Sequence, residues 1–228
     1  KWDHSLDLES IKIGIIGNGS TGVQIVSALS GNCKKTYHFQ RTAQWMMPLI
    51  NKPFSTKEKQ SFQNPNILLE AMGFKEYEAG VKLYSEAILD MNSESSKKME
   101  KICLDNLEHN VKDPELRERL MPDHRALCKR LIWSSEYYSA IQEPNTSLIT
   151  ESIEKITEEG VLTTQNSYPL DVIVLATGFK TDQFMKPMEI FGKNSMTLSN
   201  YWKNSPKAYL SICMPDFPNF FMLNGPNG

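Results

Sequence analysis

The stretch Ile11-Lys12-Ile13-Gly14-Ile15-Ile16-Gly17-Asn18-Gly19-Ser20-Thr21-Gly22-Val23-Gln24-Ile25-Val26 begins as an apolar run of strand length and ends it in Gly17-x-Gly19-x-x-Gly22. Val23, Ile25, Val26 and Leu29 then follow at helical spacing, so the glycines stand where a strand turns into a helix. That is the position of a dinucleotide-binding turn. Gly17 permits the tight turn, Gly19 lets a pyrophosphate approach the backbone with no Cβ in the way, and Gly22 lets the helix pack close against the strand. Ser20 and Thr21 fall at the helix start, where unpaired N–H groups and the positive end of the helix dipole favour phosphate. Glycine-rich turns also join strands to helices for packing alone. The strand before and the helix after favour the nucleotide reading here.

Outward from this turn, Gly31-Asn32 closes the helix and Lys35-Thr36-Tyr37-His38-Phe39-Gln40 reads as a second strand. A fold of this kind built for NAD carries an acidic residue at that strand's end, about 20 residues beyond the glycines, to hold the ribose 2′-hydroxyl. Arg41-Thr42 stand there instead. A guanidinium forms paired, charge-assisted hydrogen bonds to a 2′-phosphate, which a carboxylate would repel, so the residue types prefer NADP. The alternative for Arg41 is a solvated charge at a strand end.

The bulk numbers set the frame. With 228 residues, 40% hydrophobic and 23% charged, the chain is long enough for one large or two small domains with a sizeable core. A net charge of −2 argues against a general nucleic-acid binder and leaves room for a local basic pocket. Cys33, Cys103, Cys128 and Cys213 are far apart and form no CxxC pair, and His4, His38, His109 and His124 are scattered. No metal site is expected, and the thiols are expected to be reduced and mostly buried. No run of about 18 apolar residues is present, so no membrane-spanning helix is expected. The chain opens on Lys1, and Asp3-His4-Ser5 reads as mid-protein sequence, so a piece of a longer protein is expected. A cytoplasmic location is the default; nothing in the sequence sets an oligomeric state.

From Lys52 to about Leu120 the texture becomes helical. Tyr77, Val81, Tyr84, Ala87, Ile88 and Met91 recur at helical spacing, as do Met99, Ile102, Cys103 and Leu107, and Asp113-Pro114-Glu115-Leu116 reads as a cap and first turn. This is too long for a simple connection and predicts a helical insertion. Lys129-Arg130, flanked by apolar residues, reads from spacing alone as either a surface pair or a functional pair. Ser147–Ile149, Ile153–Ile156, Val161–Thr163 and Leu170–Leu175 read as four strands, with Glu158-Glu159-Gly160 as a turn, so a small meander feeds the last apolar strand. That strand ends in Ala176-Thr177-Gly178, small residues that suit a flat or phosphorylated group. The tail from Phe217 to Pro226 reads as another strand entering a turn.

Taken together, these pieces resemble the class B flavoprotein monooxygenases, most of all the Baeyer–Villiger type, nearly end to end. Trp2-Asp3 is similar to the close of the family fingerprint FxGxxxHxxxW(P/D), and Ile16-Gly17-Asn18-Gly19-Ser20-Thr21-Gly22-Val23-Gln24 to its NADPH-domain turn. Phe39-Gln40-Arg41-Thr42 with Trp45 and Pro48 resembles its FQRTP-x-W segment, Lys129-Arg130 its Lys-Arg pair, Asp171 to Phe179 its ATGF strand end, and Phe217 to Asn227 its FPNxFxxxGPN segment. The resemblance implies an α/β, Rossmann-like NADPH-binding domain of a flavoprotein with two dinucleotide-binding domains, a helical insertion and a small β-meander. Its implied division is 1–51 for the first part of the NADPH domain, 52–120 for the insertion, 121–180 for the remainder with the meander, and 181–228 for a return segment toward an FAD domain.

The resemblance also implies roles. Gly17, Asn18, Gly19, Ser20, Thr21, Gly22, Gln24, Ala176, Thr177 and Gly178 would bind the cofactor, with Lys129 joining Arg41 and Thr42 at the 2′-phosphate of NADPH. Arg130 would be the catalytic cation. In the family NADPH reduces FAD, the reduced flavin captures O2 as a C4a-peroxide, and the peroxide attacks a ketone to give an ester or lactone; an always-charged guanidinium would stabilise the anions formed. The implied partners are a ketone or other soft nucleophile and O2. The FAD-binding GxGxxG and the earlier fingerprint residues are missing, and Ala43 replaces the usual proline. The expectation is an NADPH half with little or no oxygenase activity by itself. Two other readings are an N- or S-oxygenating flavin monooxygenase and a non-catalytic NADP-binding module.

Overall fold

In the computed structural model, which describes residues 3–181 and 183–226, β1 (Lys12–Ile16) leads through the glycine turn into α1 (Ser20–Leu29). β1 is covered on both faces. Ile13 and Ile15 pack with Val23 and Val26 of α1, while Gly14 lies under Leu170 and Phe39, with no room for a Cβ. Val23 and Val26 expose no surface, and full burial of such a side chain is worth about 1.5–3 kcal/mol.

The chain continues through β2 (Lys35–Phe39) and β3 (Met46–Pro48) into α2 (Thr56–Ser61), α3 (Pro65–Ala71), α4 (Phe74–Leu89), α5 (Glu94–Asn110) and α6 (Pro114–Leu120). Each short helix has a local reason to start. Ser55 and Glu58 form a reciprocal capping box at α2, Asn64 caps α3 ahead of Pro65, Ser93 caps α5, and Asp113 caps α6 ahead of Pro114. Met99, Cys103 and Leu131 form a buried core with Trp45, Met47 and Ala87, which seats the longer helices on β3.

β4 (Ile132–Ser134), α7 (Tyr137–Ala140), β5 (Thr146–Ile149), β6 (Ile153–Thr157), β7 (Gly160–Thr163), β8 (Ser167–Pro169) and β9 (Val172–Leu175) complete the first compact unit, Lys1–Gly178. Its main sheet is parallel with order β5-β2-β1-β9. The chain runs outward from β1 to β2 and β5, then returns to the other side of β1 as β9, so the reversal of strand order lies between β1 and β9. In open α/β sheets that crevice, at the carboxyl ends of the strands, is where ligands bind. The fold is the expected α/β class. β3 and β4 pair in parallel apart from the main sheet, and β6, β7 and β8 form an antiparallel sheet.

The second compact unit, Phe179–Gly228, contains α8 (Leu198–Tyr201) and a core of Leu198, Met214, Phe217 and Met222. Here two expectations need correction. The tail from Phe217 is turns and bends among the described residues: Asp216 and Asn224 have positive φ, Pro218 cannot donate to a ladder, and Met222 N–H bonds back to Ile212 O at 2.8 Å. Five strands stand where four were expected: β8 is the third strand of the meander, and Ser147–Ile149 joins the main sheet within β5. Of the four thiols, all free, Cys33 and Cys103 are buried, Cys213 is half-buried and Cys128 is exposed. Trp2 and Asn227, used in the resemblance, lie outside the described residues.

Candidate functional site

The register of the main sheet aligns Ile16 with both Phe39 and Leu175, and Phe39 with Ile149, so the four strands end level. The residues that follow them therefore meet: Gly17–Gly19 after β1, Gln40–Thr42 after β2, Thr150–Ile153 after β5 and Ala176–Gly178 after β9 line one cavity of about 570 Å3. Its size falls within the range of about 300–1,000 Å3 usual for small-molecule and cofactor sites.

The glycines have separable tasks. Gly17 has φ +109°, and a Cβ there would lie 2.4 Å from Ala176 O; one on Gly22 would lie 1.8 Å from Gly17 O. These two glycines serve the backbone crossing between β1, α1 and β9. Gly19 is different, because a Cβ there would meet nothing within 4 Å and its φ of −70° suits any residue. Its small size leaves space beside the helix start for something else to occupy. Gly19 is the N-cap of α1 and no side chain caps the helix; the first bond back to it comes from Val23 N–H at 3.0 Å, so the N–H groups of Ser20, Thr21 and Gly22 have no partner within the helix.

Two cations reach the cavity from separate segments. Met46 of β3 pairs with Ile132 of β4, and Ile132 N–H bonds Trp45 O at 3.0 Å, so the residues just before each strand run side by side. Lys129 lines the same cavity as Arg41, Thr42 and Gln44. Among the described residues, neither Arg41 nor Lys129 has an ion pair. Glu151 also lines the cavity, but it is engaged elsewhere: Oε1 accepts from Asn166 at 2.9 Å and from Tyr168 at 2.9 Å, and Oε2 accepts from Thr163. Those hydrogen bonds, the one from Thr163 foremost, hold its pKa below the usual carboxylate value.

The floor of the cavity is a buried polar layer. Asn18 Nδ2 donates to Gln40 Oε1 at 3.1 Å and to Thr42 O at 2.6 Å, and Gln40 Nε2 donates to Arg119 O at 2.8 Å. Beneath the turn, His38 is fully buried between Gly17 O at 3.2 Å and Tyr137 Oη at 3.0 Å. Burial pushes its pKa down to about 4, so the imidazole is neutral; Nε2–H donates to the Gly17 carbonyl and Nδ1 accepts from the Tyr137 hydroxyl.

The structure thus gathers Gly17, Asn18, Gly19, Arg41, Thr42, Lys129, Ala176, Thr177 and Gly178 around one cavity. Ser20, Thr21, Gly22 and Gln24 stand on α1 outside its lining, the first two at the helix start, and Arg130 is exposed and also outside it. His38 and Gln40 were not singled out from sequence as site residues. Gln40 stood in the FQRTP-like segment without a role of its own, and His38 carried no signal beyond a polar side chain between Tyr37 and Phe39.

Known proteins resemble the chain over its length. Over 228 residues the chain is 36% identical to an uncharacterised monooxygenase of Mycobacterium tuberculosis, covering 100% of this chain and 46% of that protein. It is 28% identical over 231 residues to a Baeyer–Villiger monooxygenase of Pseudomonas aeruginosa, again over 100% of this chain and 43% of the relative. Its fold superposes with a TM-score of 0.76 on the crystal structure of OTEMO complexed with FAD and NADP, at 31% identity, over 98% of this chain and 48% of the other. No protein-family model matches the chain. The chain spans about half the length of the curated relatives it matches. It is a homologue of the class B flavin monooxygenases of Baeyer–Villiger type, matching the NADP-binding region of their fold.

Proposed function

We propose that the cavity binds NADPH, and that the protein to which the chain belongs is an NADPH- and O2-dependent flavin monooxygenase that converts a ketone to an ester or lactone. The observation that carries this reading is the pair Arg41 and Lys129, two cations with no ion pair among the described residues that line the same cavity as the glycine turn. The free N–H groups of Ser20, Thr21 and Gly22 and the open space at Gly19 fit a pyrophosphate, and Arg41, Thr42 and Lys129 fit a 2′-phosphate. The lining carboxylate, Glu151, follows β5 rather than β2 and accepts from Thr163, Asn166 and Tyr168, so it does not stand where an NAD-type fold carries its ribose-binding acid.

Bound NADPH supplies a hydride. Gly17–Gly22 would hold the pyrophosphate of NADPH and Arg41, Thr42 and Lys129 its 2′-phosphate, while Ala176, Thr177 and Gly178 would line the rest of its site. Among the described residues no second glycine-rich strand-to-helix turn is present to hold FAD. Arg130, exposed and outside the cavity lining, is assigned to negative charge developing on substrate oxygen rather than to nucleotide binding. In such a protein residues 1–51 and 121–180 would form the NADPH domain, 52–120 its helical insertion and 181–228 a return segment toward an FAD domain.

Amide chemical-shift mapping with NADP+ tests it. Perturbations are expected at residues 17–22, 41–42, 129 and 176–178. Saturable binding that leaves these amides unmoved, or no binding at all, would contradict the assignment of the cavity.

A further inference from the structure

We propose that Asn18 and Gln40 are positioning residues that hold Arg41 and Thr42 against the glycine turn and thereby set the preference of the cavity for a nucleotide carrying a 2′-phosphate. The inference rests on the NADPH reading above and goes further by naming what fixes the cation. The sheet ladder stops at Gln40, whose N–H bonds Ile149 O at 2.8 Å. From Arg41 onward no strand pairing constrains the backbone until Met46. Yet a guanidinium that binds phosphate through two parallel hydrogen bonds must be aimed correctly, and a backbone shift of about 1 Å spoils such geometry.

The amide pair supplies the missing constraint. Asn18 is 8% exposed and Gln40 4% exposed, and both side chains turn inward. Asn18 Nδ2 ties Gln40 Oε1 and Thr42 O together, and Gln44 Nε2 reaches the same Thr42 carbonyl at 3.3 Å. Gln40 Nε2 then anchors the pair on Arg119 O, in the last turn of α6. Helix α6 thereby reaches the floor of the site through the Arg119 carbonyl, and its docking helps set where Arg41 points. Burying amides is costly unless they are paired, so removing one partner leaves the other unsatisfied under the loop.

The test uses the full chain and the variants Gln40→Met, Asn18→Ala, Arg41→Ala and Gln40→Met/Arg41→Ala, with two readouts. Without nucleotide, hydrogen exchange of amides 41–45 is expected to quicken by about ten-fold in Gln40→Met and in Asn18→Ala, with β1 and β2 unchanged. An unchanged rate at 41–45, or a parallel rise in β1 and β2, overturns the clamp. In calorimetric titrations, Gln40→Met is expected to lose about ten-fold in NADP+ affinity and less than about three-fold for NAD+, with Arg41→Ala adding little more in its background. Equal losses for both nucleotides, or additive losses for NADP+, overturn the specificity role. A wild-type chain that binds neither nucleotide contradicts the NADPH reading and this specificity role with it, while the exchange result still decides the clamp.

Discussion

At the scale of single residues, the glycine turn separates packing from binding. Gly22→Ala places a methyl 1.8 Å from the Gly17 carbonyl, so it is expected to cost at least about 2 kcal/mol, read as a lowered melting temperature. Gly19→Ala meets nothing within 4 Å and adopts an ordinary φ, so the melting temperature is expected to hold while NADP+ affinity falls about ten-fold or more. Equal loss of stability in both variants would show that the turn serves packing alone. His38 gives a pH signature. Its folded pKa of about 4 lies below the ordinary 6.5, so between those values the unfolded chain takes up a proton that the folded chain refuses. Stability should thus fall as pH drops from 6.5 to 4, by about 3 kcal/mol in all, and this contribution should level off below that. His38→Gln should flatten that part of a denaturant-midpoint profile, and an unaltered slope would contradict the neutral, buried assignment. The glycines were legible because spacing and residue type alone define their work. His38 and Gln40 were not, because their partners, Tyr137 and Arg119, are distant in sequence.

At the scale of elements, capped helices were more legible than short strands. Ser93 and Asp113-Pro114 mark the starts of α5 and α6 in the sequence itself. β3, β4 and β8 have three residues each, too few to show alternation, and two of them end in proline. Reading Phe217 onward as a strand failed for a different reason: its apolar residues fill a local core through turns rather than a pleated face. The three-stranded sheet is pinned to the end of β5 by Glu151. Glu151→Ala removes acceptors for Thr163, Asn166 and Tyr168 together, so it should loosen β6–β8 and speed cleavage by a glutamate-specific protease at Glu158-Glu159. The parent carboxylate, with its pKa held down in the fold, should lose the same support as pH falls through that lowered value. A cleavage rate unaffected by the substitution would show that the sheet is held otherwise.

For the molecule as a whole, the α/β fold and the family resemblance were legible because motifs that follow the strands succeed one another along the chain in a specific order and spacing. That Arg41 and Lys129 share one cavity was implied by the resemblance and by no local pattern, because it goes with the β3–β4 pairing across the helical segment. The central claim is that these two cations make the cavity a 2′-phosphate site. Its most direct test is calorimetric titration of the wild-type chain and Arg41→Ala with NADP+ and with NAD+. The account predicts that the wild type prefers NADP+ by about ten-fold or more and that Arg41→Ala loses the preference while keeping its NAD+ affinity, since a charge-assisted bond is worth about 1.5–3 kcal/mol. Equal affinity of the wild type for both nucleotides, or a preference that survives in Arg41→Ala, would contradict it.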